Sequence, residues 1–190
     1  MQLDKAIQSR KSVRRFHLDK KPDWRKIIRA IDAVRFAPTA GGLSGIRFII
    51  VDDPKKIQAL KDACQQDFVG TAKYIVVVTS EIVQLKRSYD DRAEMFARQQ
   101  AGAAIQNFLL KLTEFELATC WVGYFDESQV RRAIAIPEDT LVEAMFPIGI
   151  ETKEKTKSIP QKPELENIVR FNIWKNKFME PKQRVSQEGF

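Results

Sequence analysis

The sequence predicts one domain that mixes helices with a sheet, and three observations point there. The chain has 190 residues, the length of a single domain with enough mass for a proper core. Its composition, 44% hydrophobic and 30% charged, is that of a globular chain and not of a disordered one. Short β-branched runs of strand length also alternate with longer stretches whose apolar residues recur at helical spacing.

Residues 2–9 read as a short helix. PDWRKIIRAIDAVRFA (22–37) is a clearer one: Asp23 can cap it, and Trp24, Ile27, Ile28, Ile31 and Val34 form one apolar stripe. Pro38 ends that helix, and TAGGLSG (39–45) reads as a flexible Gly-rich loop. RFIIVDD (47–53) reads as a buried strand, and Pro54 opens a helix that runs to about Gln65. KYIVVVTS (73–80) is the strongest strand, a β-branched run suited to a sheet centre. From about Val83 to Leu117 one helical stretch is expected, charged in its first half and apolar in its second, with small residues clustered from Ala101 to Ala104. A helix apolar on most sides belongs at the centre of an assembly. TCWVGYF (119–125) reads as a strand, DESQVRRAIAI (126–136) as a short helix and LVEAMFPIGI (141–150) as the last core strand. After Ile150 the chain is polar and Pro-spaced until a late apolar cluster of Ile168, Val169, Phe171, Ile173 and Trp174. The expected division is therefore a domain over 1–150 and an arm over 151–190 whose apolar cluster docks on a second subunit.

Absences narrow the chemistry. No apolar run approaches the roughly 20 residues of a membrane helix, and MQLDKAIQSR lacks the apolar centre of a signal peptide, so a cytoplasmic protein is expected. In that compartment Cys64 and Cys120 are expected as buried, unreactive thiols. Neither G-x-G-x-x-G nor G-x-x-x-x-G-K-[ST] occurs, nor a C-x-x-C pair. The single histidine, His17, excludes metal sites that need two and reads as an exposed loop residue. Asp52–Asp53 and Asp90–Asp91 are adjacent carboxylates that diverge in any regular structure and read as caps and solvated faces. A chain so poor in catalytic side chains either binds without chemistry or borrows its chemistry from a cofactor.

The formal charge of +7 is unevenly placed: residues 1–36 carry +7, 37–150 carry −3 and 151–190 carry +3. The densest stretch is SRKSVRRF (9–16). Such a run can be a solvated basic face. In an extended chain, however, Arg10, Ser12 and Arg14 share one face, and two guanidinium forks beside a hydroxyl suit a phosphate.

SRKSVRRF followed by a helix, RFAPTAGG before a strand, AGAAIQNFLL and then TCWVGYFDESQV together resemble the FMN-dependent nitroreductase family, in order and spacing over about residues 7–175. The resemblance implies an α+β sandwich with a central, mostly antiparallel sheet flanked by helices. It further implies an intertwined homodimer with a swapped C-terminal arm and two FMN sites, each built from both chains. Arg10, Ser12 and Arg14 match the family's motif for the flavin phosphate and ribityl chain; Lys11 lies in that motif but points away if the segment is extended. Lys162, in QKPELENIV, matches a second phosphate-binding cation, which would bring both basic ends to one anion. Pro38, Thr39, Ala40, Gly41 and Gly42 match the loop laid over the partner's isoalloxazine, where glycines allow close backbone approach. Many members carry Asn, Gln, Pro and Trp at the positions of Gly42, Ser44, Gly45 and Ile46, so polar ring contacts common in the family are missing here. Gly123 and Tyr124 match the strand end whose backbone lies against the flavin, and Asn107 reads as a buried amide serving the interface. The implied activity is hydride transfer from NAD(P)H through FMN to an electron-poor acceptor (a nitroaromatic, quinone or enone) by a ping-pong route without an obligate catalytic side chain. No nucleic-acid or membrane partner is expected. Two alternatives stand beside it. One is a flavin-cleaving or dehalogenating member of the same fold; the other is a basic polyanion-binding module, against which aromatic residues do not interleave with the basic ones.

Overall fold

Ile46–Val51 (β1), Tyr74–Glu81 (β2), Ala118–Thr119 (β3) and Thr140–Gly149 (β4) form one antiparallel sheet in the order β1–β2–β4–β3, in a computed structural model that describes residues 1–152 and 162–179. β2 lies at the centre and is buried from Tyr74 to Ser80, as its β-branched run requires. Alternate residues serve opposite faces. Tyr74, Val76 and Val78 join Ala144, Phe146 and Ile148 of β4 on one side, under Trp24–Asp32 (α2) and Ala93–Glu114 (α5). Ile75 and Val77 join Val142 and Met145 on the other, under Pro54–Cys64 (α3) and Glu127–Ile134 (α6). Each of these fully buried β2 side chains contributes on the order of 1.5–3 kcal/mol. This is the expected α+β sandwich: one sheet between two helical layers.

The helix starts follow from side-chain caps. Asp23 accepts the Arg25 N–H at 3.0 Å, and Asp53 accepts the Lys55 N–H at 2.8 Å ahead of Pro54. Asp126 accepts the Gln129 N–H at 3.1 Å. Of the stripe predicted on α2, Ile27 and Val34 are buried, whereas Trp24 and Ile28 stay 51% and 46% exposed. Ala30 takes the buried place instead, so the packed face is rotated toward the smaller side chain.

Two further expectations are corrected. The helix predicted across Val83–Leu117 is broken: Val83–Tyr89 (α4) ends at Asp90, which adopts φ 43° and ψ −116°, and α5 starts at Ala93. The break lets the two apolar stripes face each other, so Ile82, Leu85, Ala93 and Ala97 form a small core of their own and the Tyr89 and Phe96 rings meet edge-on at 4.9 Å. The strand predicted over 119–125 is reduced to β3 plus one bridge between Val122 and Met145. Thr119 pairs Ile148, and the same register would set Cys120 opposite Pro147. Proline has no N–H to donate, so the ladder fails there.

The chain also divides into two compact units, Met1–Lys153 and Glu154–Phe190. The described part of the second holds one short helix, Leu165–Ile168 (α7), and a turn closed by Phe171 and Asn176. Ile168, Ile173 and Trp174 there are exposed.

Candidate functional site

The basic segment follows Leu3–Ser9 (α1) and runs along the outer edge of the sheet. Val13 N–H donates to Thr119 C=O at 2.8 Å and His17 N–H to Ile150 C=O at 2.8 Å, while Phe16 bridges Glu151. Buried Val13 and Phe16 hold this segment down, with Ala72, Ala118 and Phe68 around them. Gly149 is required beneath it, because a Cβ there would lie 2.7 Å from the Phe16 ring. With Val13 inward, Ser12 and Arg14 are turned outward, as strand alternation demands.

Arg10, Ser12 and Arg14 do come together, around the Cys120 thiol. Burial pushes that thiol's pKa up, while Arg14, a hydrogen bond with Ser12, and Arg10 pull it the other way. Among the described residues neither Arg10 nor Arg14 has a carboxylate partner; the Arg14 guanidinium lies over the Phe68 ring at 5.9 Å. Lys11 points to the other side, where its ammonium meets Glu151 at 2.7 Å across a cleft of about 250 Å³ that Arg10 and Thr119 also line. Two cations without a carboxylate partner among the described residues, with a hydroxyl between them, make a cradle whose charge suits an anion.

The second element is the loop after Pro38. Ala40–Gly42 makes one tight turn in which Gly41 and Gly42 take φ +58° and +74°, conformations that favour glycine. Rather than flexible, the loop is held from behind. The Ala40 N–H donates to Gln100 Oε1 on α5 at 3.2 Å, and the Tyr89 hydroxyl stands 2.5 Å from where a Gly41 Cβ would be. The loop therefore rests near Gln100, whereas the Arg10 cleft meets α5 at Leu109 and Thr113. At 1.5 Å per residue these places are roughly 14–20 Å apart along the helix. One chain does not bring loop and cradle together.

Gly123 and Tyr124 follow the failed ladder at Cys120 and are exposed, Tyr124 by 82%. They thus adjoin the cradle in sequence and share its sheet end. Asn107 donates to Ala33 C=O at 3.3 Å, tying α5 to the end of α2. Beside it Leu3, Phe36 and Leu110 line an apolar groove of about 360 Å³, and a Cβ on nearby Gly102 would meet nothing within 4 Å. Lys162 is exposed in the second unit. Among the described residues no group of three or more His, Cys, Asp or Glu is placed to hold a metal. Sequence reasoning missed Cys120, Tyr89 and Gln100 as site residues. Gln100 carried a signal, since it falls in the same helical row as Ala93, Ala97 and Ala104, a polar residue on an apolar stripe.

The model of the nitroreductase family matches residues 7–69 and 58–150. A protein of Archaeoglobus fulgidus, named provisionally as an NADH dehydrogenase/NAD(P)H nitroreductase, is 26% identical over 156 residues, 80% of this chain and 86% of its own. The iodotyrosine deiodinase of Thermotoga neapolitana is 24% identical over 88% of this chain and 96% of its own. An FMN-dependent nitroreductase of Clostridium difficile R20291 superposes with a TM-score of 0.73 at 22% identity, covering 89% of this chain and 98% of that one. With the family model spanning the whole sheet, both helical layers and the basic edge segment, the chain belongs to the nitroreductase family.

Proposed function

We propose that the protein is an FMN-dependent oxidoreductase that works as a homodimer. The observation that carries this reading is the pair of guanidiniums, Arg10 and Arg14, that have no carboxylate partner among the described residues and are set with Ser12 around the sheet end at Cys120. A phosphomonoester dianion fits that cradle, since each guanidinium can give paired donors and Ser12 a further one. Bound there, FMN would supply two-electron chemistry, accepting hydride from NADH or NADPH and reducing an electron-poor acceptor (nitroaromatic, quinone or enone) in a ping-pong sequence. The protein's part is to hold the phosphate and to present backbone near the ring, from Gly123 and Tyr124 on one side and from Pro38, Thr39, Ala40, Gly41 and Gly42 on the other. Because the cleft beside Arg10 and the loop of one chain stand roughly 14–20 Å apart along α5, the loop that serves a given cradle comes from a second copy. The open α5 face at Gly102 and the groove beside Leu110 suit the approach of that copy. The expected wrapping arm over 151–190 lies in good part outside the described residues, and Lys162 stays a proposed further cation for the phosphate. Lys11, already engaged by Glu151, serves the fold of the segment rather than the phosphate.

The test is a visible absorption spectrum of the purified protein, recorded with its sedimentation and repeated after anaerobic NADH and NADPH. A yellow dimer that bleaches with a nicotinamide supports the reading and identifies the donor. A colourless protein that cannot be reconstituted with FMN sinks it, and a monomer that binds one FMN per chain sinks the two-chain site. The length match to the deiodinase favours a dehalogenating variant as second reading, decided by offering 3-iodotyrosine to the reduced protein.

A further inference from the structure

Past the ring-facing loop the chain builds a groove that the functional reading above leaves unused. Ser44, two residues after Gly42, opens it, and the start of β1, the end of β2 and the start of β4 line it, around a cavity of about 440 Å³. That volume falls within the roughly 300–1,000 Å³ of small-molecule sites. The groove lies at the sheet end toward which the ring-backing segment runs. Val122 pairs antiparallel with Met145, so Gly123 and Tyr124 head toward the Thr140 end of β4.

The walls are set before any ligand arrives. The Glu81 N–H donates to Gly45 C=O at 2.9 Å, and a Cβ on Gly45 would lie 2.0 Å from the Glu81 carbonyl oxygen, so the two backbones meet directly. On the opposite wall the Thr140 N–H closes a turn onto Pro137 C=O at 3.2 Å, and the Arg131 guanidinium donates to the Pro137 and Thr140 carbonyls. Asp139 rides on that turn. Val83, Gln84 and Arg87, at i, i+1 and i+4 on α4, present one helix face to the groove.

The charges are mixed. Arg47 and Arg87 stand with Glu81 and Asp139, two cations with two carboxylates, and the zero sum disfavours a bare polyanion. Arg47 and Glu81 satisfy each other at 3.1 Å. Arg87 and Asp139 are exposed and have no ion-pair partner among the described residues. An unpaired guanidinium suits a phosphate oxygen. An unpaired carboxylate accepts from the hydroxyls of a ribose and repels a phosphate placed on them. Val83 and Pro137 add apolar surface for a flat base. A ligand with phosphate, free ribose hydroxyls and a base is therefore called for, and the reductant is one.

We propose that this groove takes the adenosine diphosphate half of the nicotinamide dinucleotide, with Arg87 on the pyrophosphate and Asp139 on the adenosine ribose, and that Asp139 makes NADH the preferred donor over NADPH. The groove's part in reduction rests on the FMN reading; its affinity for an ADP-ribosyl group does not.

Two measurements on the full-length protein test this. ADP-ribose and its 2′-phosphate are titrated in while the amide NMR signals of Gln84 and Asp139 are followed, and anaerobic flavin reduction by NADH and NADPH is timed by stopped flow. ADP-ribose is expected to bind about ten-fold more tightly than its 2′-phosphate, and kcat/KM for NADH to exceed that for NADPH by about the same factor. Arg87→Ala should weaken ADP-ribose binding and raise KM for both donors about ten-fold, acting on KM more than on kcat. Asp139→Asn should bring the two donors within about two-fold of each other. A wild type that moves neither signal with ADP-ribose, or that favours the 2′-phosphate, overturns the proposal. Wild-type ADP-ribose affinity in Arg87→Ala overturns the pyrophosphate contact, and an undiminished NADH preference in Asp139→Asn overturns the ribose contact. A protein that binds ADP-ribose with these dependences but takes up no FMN upholds the groove and overturns the functional reading alone.

Discussion

Where the Arg10–Arg14 segment is held by backbone hydrogen bonds and turns its side chains outward, the Thr39–Gly42 loop is held by other elements' side chains and turns backbone outward. Val13 and His17 fasten the first to the sheet edge through N–H groups, so that Arg10, Ser12 and Arg14 are not needed to hold it there. Gln100 and Tyr89 fasten the second, leaving Gly41 and Gly42 with nothing beyond the main chain. The difference follows from what each must meet. A phosphate is recognised by charge and paired donors, which only side chains bring in strength. A flat ring is recognised by close approach, which glycine permits and a side chain would block. Damage to the first should therefore appear as lost affinity, and damage to the second as an altered ring environment.

The largest effect is expected from Phe16→Ala. Phe16 is buried against Gly149, Val13 and Ala118, and emptying such a site costs about 3 kcal/mol. Urea denaturation measures that loss, and FMN retention should fall with it because the cradle hangs on this ring. A variant as stable as the wild type would show that the segment is held by its backbone bonds alone. Arg10→Ala should leave stability within roughly 0.5 kcal/mol and weaken FMN binding by about 2 kcal/mol, the scale of a charge-assisted pair. Fluorescence titration reads it directly. Undiminished affinity would mean that Arg10 contributes only to a solvated basic face.

How far these regions could be read in the sequence depends on how local their causes are. The face shared by Arg10, Ser12 and Arg14 needed only the period of an extended chain, and the α2 and α3 starts needed only Asp23 and Asp53 as caps. β2 announced itself by its β-branched run. The break at Asp90 was hidden because its cause is tertiary, the meeting of Tyr89 with Phe96 and of Leu85 with Ala97. The early end of the strand at Cys120 was hidden for the same reason, since Pro147 on β4 withholds the missing hydrogen bond. Gln100 and Ala40 are 60 residues apart, and only the packing of α5 on the sheet makes them partners.

The loop half is challenged by Gly41→Ala. A left-handed alanine costs about 1–2 kcal/mol, and its Cβ would press on the Tyr89 hydroxyl 2.5 Å away. FMN should still bind, with a changed visible spectrum, because the cradle is untouched. Adding Tyr89→Phe to the same chain should restore part of the stability in thermal melts, since the hydroxyl is the atom struck. No recovery would place the whole cost in backbone strain and leave Tyr89 without a role in the loop's shape.

The smallest effect concerns the α4–α5 corner beneath that loop. Asp90 sits at φ 43° and ψ −116°, a conformation that glycine reaches with far less strain. Relief of strain, on the order of 1–3 kcal/mol, is offset in part by the extra freedom glycine gives the unfolded chain. Asp90→Gly should therefore gain about 0.5 kcal/mol and raise the melting temperature by roughly 1–2 °C. Asp90→Ala keeps the strain and should gain nothing. If both variants melt with the wild type, the corner is held by the Tyr89–Phe96 packing with no strain to relieve. Amide exchange at Ala40 should then respond to Phe96→Leu and not to Asp90→Gly, moving the loop's support from the turn to the ring pair.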